Sequence, residues 1–147
     1  TLINASVQSV FNNFIALGGN RGWLYGNWLW QIRGVIDRII GGVGLRRGRR
    51  NPTDLRIGDA LDFWRVEDIK LNKSLRLFAE MKLPGKAWLQ FETIKLNNHQ
   101  TTLYQTAFFA PRGLIGLAYW YLLYPIHKLI FKGLSEKLKS SSELKCQ

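Results

Sequence analysis

Residues 41–52 read GGVGLRRGRRNP. Three of the first four are glycine, and four of the next six are arginine. Glycine lets backbone come close to a phosphate and arginine binds one, so the stretch raises a nucleotide or nucleic-acid site. The order of elements argues against it. A dinucleotide fingerprint places G-x-G-x-x-G between a strand and a helix, whereas here a helical pattern precedes the glycines and a strand pattern follows. Counting from Gly42, the third glycine position is Arg47, and the Gly-Lys-Ser/Thr ending of a P-loop is absent. The glycines are expected to stop a helix and turn the chain. If 45–50 is a strand, Leu45, Arg47 and Arg49 share one face and Arg46, Gly48 and Arg50 the other. An inward arginine needs a carboxylate, with Asp62, Glu80 and Asp59 as candidates, or an anionic ligand.

Asp62 and Glu80 are the weak candidates for acid or base work, should a cavity enclose them. A salt bridge is the plainer reading of each. His99 and His127 are isolated, which gives no metal site. No nucleophile elbow is present, so the chain carries no catalytic motif. Trp28, Trp30, Trp64, Trp88 and Trp120 fall in helices and strands, which reads as core or cavity lining rather than a base-stacking platform.

The elements that position these residues follow from periodicity. Ser6 precedes Val7, Val10, Phe11 and Phe14, a capped helix ended by Gly18-Gly19. Asn27 would cap a second helix. Trp28, Ile32, Ile36 and Ile40, with Leu29, Val35 and Ile39, form its apolar face, and Gln31, Arg33, Asp37 and Arg38 the other. Asp59–Asp68, Ser74–Lys82, Ala87–Leu96 and Thr101–Ala110 are aromatic-rich and of strand length. Short turns at Leu83–Lys86 and Asn97–His99 imply antiparallel neighbours. A long helix runs from Leu114 to Lys139, with Pro125 expected to kink it near Tyr121 and Ser140–Ser142 expected to fray. It is expected to be buried as the cover of the sheet. Pro125, His127, Lys128 and Lys132 interrupt its apolar run too soon for a membrane span, so the chain is not expected to be transmembrane.

The 147 residues suit one domain, 1–147. The absence of an initiator Met suggests a C-terminal fragment of a longer chain. Cys146 is the only cysteine. No disulfide framework can form within one chain, and a cytoplasmic location is expected. The net charge of +11 is spread as +2, +4 and +5 over residues 1–44, 45–82 and 83–147. A dedicated nucleic-acid domain more often concentrates its charge, so nucleic acid is an unfavoured partner.

Several stretches carry a family resemblance. They are Gly22-Trp23-Leu24-Tyr25, Leu29–Gly34, Asp37-Arg38, Gly41–Arg50, Gly58-Asp59, Asp62–Val66, Ala79–Gly85, Ala87-Trp88-Leu89, Tyr119-Trp120, Tyr124-Pro125 and His127. Together they resemble an uncharacterised C-terminal domain family found behind Rossmann-type, reductase-like NAD(P)-binding domains in bacteria. The resemblance implies an α+β, helix-grip fold of the START or Bet v 1 kind: a twisted antiparallel sheet wrapped round a long C-terminal helix. It also implies no cofactor in this chain and NAD(P) on a fused N-terminal Rossmann domain. It assigns no activity to any residue.

The leading expectation is therefore a cavity between sheet and C-terminal helix that binds a hydrophobic or anionic small molecule. Trp64, Phe78, Trp88, Tyr104, Tyr119 and Trp120 are candidates for its lining, and Arg47, Arg49 and Arg65 for a polar anchor. Alternation alone does not say which sheet face is concave, so the list mixes both. The alternatives are a substrate module of a fused NAD(P)-dependent oxidoreductase or cyclase-like enzyme, and a basic surface that binds nucleic acid or anionic membrane.

Overall fold

A computed structural model describes residues 1–42, 44 and 48–144. The order is β1 (Leu2–Ile3), α1 (Val7–Ile15), α2 (Asn27–Ile39), β2 (Ala60–Leu61), β3 (Trp64–Lys70), β4 (Ser74–Ala79), β5 (Gly85–Asn97), β6 (Gln100–Pro111) and α3 (Gly113–Leu144). It is a mixed α+β arrangement: one six-stranded antiparallel sheet, in the order β1-β6-β5-β4-β3-β2, with a long C-terminal helix. Short turns account for the β2–β6 meander, in which each strand returns beside the one before it, and β1 adds at the β6 edge, with Leu2 opposite Thr102. The β5–β6 hairpin pairs from Gly85 opposite Pro111 to Asn97 opposite Gln100.

Alternation sends Trp64, Val66, Leu75, Leu77, Leu89, Phe91 and Leu103 to one face, where all are buried. Helix α1 covers one end of that face with Val10, Phe11 and Phe14, and Phe14 stacks on Phe91 at 5.4 Å between centroids. The Ser6 hydroxyl caps α1 by accepting from the Ser9 N–H at 3.3 Å.

Helix α2 reverses the sequence expectation. Its buried residues are Trp30, Gly34 and Asp37, while Trp28, Ile32, Val35, Ile36, Ile39 and Ile40 are exposed. The reason is Asp37, whose accessible surface is 0%. Its carboxylate accepts the Gly44 N–H at 2.9 Å and the Lys82 N–H at 2.6 Å, and Arg33 stands 3.9 Å away. A buried carboxylate must be met by donors, and these come from the loop after α2 and from the link between β4 and β5. The Asn27 side chain does not cap α2. Gly26 holds the cap position, and the Asn27 side-chain oxygen Oδ1 accepts from the Trp23 N–H at 2.8 Å.

The glycine run does stop α2. Gly41, at φ 84°, donates to the Arg38 carbonyl, and Gly42 to that of Asp37. The run also cradles an anion, but the anion is the chain's own. A β-carbon on Gly42 would fall 2.2 Å from an Asp37 carboxylate oxygen. Of the strand expected at 45–50, Leu45, Arg46 and Arg47 lie outside the described residues. Arg49 bridges Leu61.

Helix α3 has two different halves. Ile130, Leu134 and Leu138 are buried in the core. The first half is not buried, contrary to expectation: Leu114, Ile115, Tyr121, Leu122 and Leu129 face outward. By length and composition α3 could cross a membrane, and 11% of its most apolar stretch is buried. Its 32 residues span about 48 Å. Nor does the serine tail fray. The Asn13 amide donates to the Ser142 hydroxyl at 2.9 Å and the Leu138 carbonyl at 3.2 Å, pinning the last turns of α3 to α1.

Replacing Asp37 by Ala strands the donors gathered on it and should destabilise the fold by about 3 kcal/mol. Gly42→Ala, which drives a methyl into that carboxylate, should also destabilise. Urea unfolding followed by circular dichroism measures both.

Candidate functional site

Between the sheet, α2 and the first half of α3 lies a cleft of about 310 Å³. The volume sits at the small end of the range for small-molecule sites. Helix α2 contributes Leu29, Trp30, Ile32, Arg33 and Ile36, and α3 contributes Tyr119, Trp120, Leu123, Ile126, His127, Ile130 and Phe131. The floor is sheet, including Trp64, Ala87, Ala107 and Phe109. The wall is almost wholly apolar. Small residues on the sheet side, Ala87 and Ala107, leave ring-sized space that the large side chains of α2 and α3 border.

Two aromatic clusters frame it. On one side Trp120 stacks on Phe109 at 5.3 Å and 10°, packs on His127 at 6.0 Å, and His127 stacks on Phe131 at 5.8 Å. The i, i+7, i+11 spacing of Trp120, His127 and Phe131 puts them on one face of α3. On the other side Trp23, Trp30, Phe63 and Trp64 form a closed set with centroid distances of 5.5–6.2 Å. Rings in such tilted and stacked pairs gain beyond their burial and hold each other in place.

The polar groups in this wall are few. Trp30 Nε1 and His127 Nδ1 are buried with no hydrogen-bond partner among the described residues. Burial, then the nearby Arg33 charge, pushes the His127 pKa below its ordinary 6.5. Arg33 borders the cleft and donates to the Lys82 carbonyl at 2.9 Å. The sequence pattern hides all three. Arg33 and Trp30 lie off the apolar stripe of α2, and His127 reads as an interruption of α3.

The residues singled out by sequence separate by sheet face. Trp64, Tyr119 and Trp120 line the cleft. Trp88 borders it, but alternation turns its ring to the opposite face. There Trp88 packs on Phe78 at 5.6 Å, under the Arg76 guanidinium at 5.8 Å. Phe78 and Tyr104 therefore stand outside the cleft. Arg65 is held by Glu80 in a fork, Nε to Oε1 at 2.5 Å and Nη2 to Oε2 at 3.1 Å, on that same outer face. This pairing takes up both Arg65 as an anchor and Glu80 as an acid or base. Asp62 accepts from the Trp23 indole at 3.0 Å and the Gly19 N–H at 3.2 Å, likewise away from the cleft.

Arg49 meets neither carboxylate nor cleft. Its Nη1 donates to the Ile15 and Leu17 carbonyls, both at 2.8 Å, and its Nε to the Asn51 carbonyl at 2.6 Å. It thus satisfies carbonyls freed at the C-terminal end of α1. Arg50 points outward and binds Asp59 and Asp54, and its hydrogen bond to Asp59 is the main cause lowering that carboxyl's pKa. Arg47 lies outside the described residues. Among the described residues no three His, Cys, Asp or Glu side chains gather as a metal site requires.

Lowered basicity in His127 has a sign. Below pH 6.5 the unfolded chain takes up a proton that folded His127 resists, so stability falls as the solution is acidified through that value. The urea midpoint should drop between pH 7 and pH 5, and drop less in His127→Phe.

Two solved structures are similar in outline. A conserved protein from Geobacillus kaustophilus is 18% identical, with a TM-score of 0.48 over 97% of this chain and 91% of its own. CalU16 from Micromonospora echinospora is 12% identical, with a TM-score of 0.42 over 98% of this chain and 81% of its own. No curated protein matches the chain. The model of the DUF2867 family, proteins of unknown function, matches residues 2–134, and the chain belongs to that family.

Proposed function

We propose that the chain is a helix-grip module that holds a hydrophobic small molecule bearing one polar group in the cleft beside α3. One observation carries this reading. An apolar, aromatic-framed space of about 310 Å³ contains in its wall two buried nitrogens, Trp30 Nε1 and His127 Nδ1, that nothing in the described chain satisfies. Buried polar groups without partners are costly, and they persist where a ligand or water completes them. Indole donates and the neutral imidazole offers a donor or an acceptor, so a carboxylic acid, alcohol or carbonyl suits the pair. Arg33 at the border favours an anion.

The acid/base alternative gains no support from Glu80 or Asp62, since both are engaged outside the cleft. Binding, rather than turnover, is what this geometry favours.

Native mass spectrometry of protein purified from cells should show a small-molecule adduct. Decanoic acid should bind in calorimetric titration, more tightly than decanol. Ala107→Phe, which fills the cleft floor, should weaken decanoate at least about tenfold, the effect of losing about 1.4 kcal/mol. Decanoate binding that is absent, or unchanged in a folded Ala107→Phe protein, would overturn the reading.

A further inference from the structure

The outward faces of α2 and α3 form one apolar surface around the cleft mouth. On α2 the exposed residues include Trp28 at 63% and Ile39 at 78%, and on α3 Tyr121 at 72% and Leu122 at 77%. Ile32 and Ile36 on one helix and Ile126 on the other are both exposed and part of the cleft wall, so the surface and the cleft are continuous. A soluble domain rarely leaves such a patch without an occupant.

Charge selects the occupant. The only acid in α2 is Asp37, which is buried, and α3 has none before Glu136. Strand β6 has none either. The cations in α2, in α3 before Glu136 and at the residue just ahead of α3 are Arg33, Arg38, Lys128, Lys132 and Arg112. Apolar residues ringed by cations alone, with Trp28, Tyr121 and Tyr124 exposed among them, match the layered chemistry of an anionic bilayer surface: phosphates above, acyl chains below. A second copy of this basic chain would bring Arg38, Arg112, Lys128 and Lys132 against like charges.

We infer that the outer faces of α2 and of the first half of α3 dock this protein on anionic lipid membranes, with the cleft mouth turned to the acyl region. The helix lies on the membrane and does not span it. Its second half is built into the core through Ile130, Leu134 and Leu138. Its first turn is fastened to the sheet, where a β-carbon on Gly116 would sit 2.4 Å from the Pro84 carbonyl oxygen. A spanning α3 would drag sheet edges into hydrocarbon, where backbone groups find no partners. Docking stands on the surface alone and does not require the ligand reading of the cleft.

Sedimentation with vesicles tests it. The protein should pellet with vesicles of phosphatidylglycerol and phosphatidylcholine, and at least about tenfold less with phosphatidylcholine alone or at high salt. The double substitution Ile39→Glu, Leu122→Glu alters two exposed residues outside the cleft. It should abolish pelleting while leaving circular dichroism and decanoate titration unchanged. Failure to pellet with the anionic vesicles would overturn docking, as would pelleting that the double variant retains. So would a stable dimer in analytical ultracentrifugation that the double variant dissolves, because a second copy would then cover the face. None of these outcomes alters the decanoate result, so docking and cleft binding fail separately.

Discussion

The Asp37 carboxylate is the contact on which the rest of this arrangement depends. An ion in the core is tolerated only where donors surround it, and here the donors arrive from distant parts of the chain. Gly44 brings the loop after α2, and Lys82 brings the link between β4 and β5. Satisfying one acid therefore fixes the rotation of α2, the path of the glycine loop and the distance from helix to sheet. The cleft is what remains between elements spaced in this way. Rotating α2 to bury its isoleucines would gain apolar burial but would expose Asp37 and release the donors held by it.

That rotation has a consequence on each side of the helix. Inward, Trp30 joins Trp23, Phe63 and Trp64, and the cluster stiffens one wall of the cleft. Outward, an isoleucine stripe lies beside the unburied half of α3. The same two helices thus border an apolar recess and form an apolar rim around it. A membrane-resting mouth would let an amphiphile pass from bilayer to cleft without crossing water, the step with the largest barrier for such molecules.

The sheet was legible because its signals are local. Aromatic and β-branched runs separated by Pro-Gly and Asn-Asn turns define strands that pair with the next in sequence; β4 lies inside its expected range, β5 and β6 overrun theirs by one or two residues at each end, and the run expected at Asp59–Asp68 splits into β2 and β3, which continues to Lys70. The capped α1 and the glycine stop after α2 were legible for the same reason. The rotation of α2 was not. An amphipathic stripe shows that a helix has an apolar face, but not that the face points inward, and Asp37 reads as one more solvent-side acid until its partners at Gly44 and Lys82 are known. The partners of the arginines were not legible either. Arg49 finds backbone carbonyls and Arg65 finds Glu80, both settled by tertiary placement. Trp64, Tyr119 and Trp120 border the cleft, whereas strand parity puts Phe78 and Tyr104 on the opposite face.

The claim that binds these observations is that Asp37 turns the isoleucine face of α2 outward, toward an anionic membrane. It is tested most directly by the alkylation rate of a cysteine placed at Ile39 in a Cys146→Ser background. Maleimide should modify Ile39→Cys rapidly in buffer, and phosphatidylglycerol vesicles should slow the reaction markedly. Slow modification in buffer would show that the face is covered in the protein itself and contradict the account. Rapid modification that vesicles leave unchanged would contradict its membrane half.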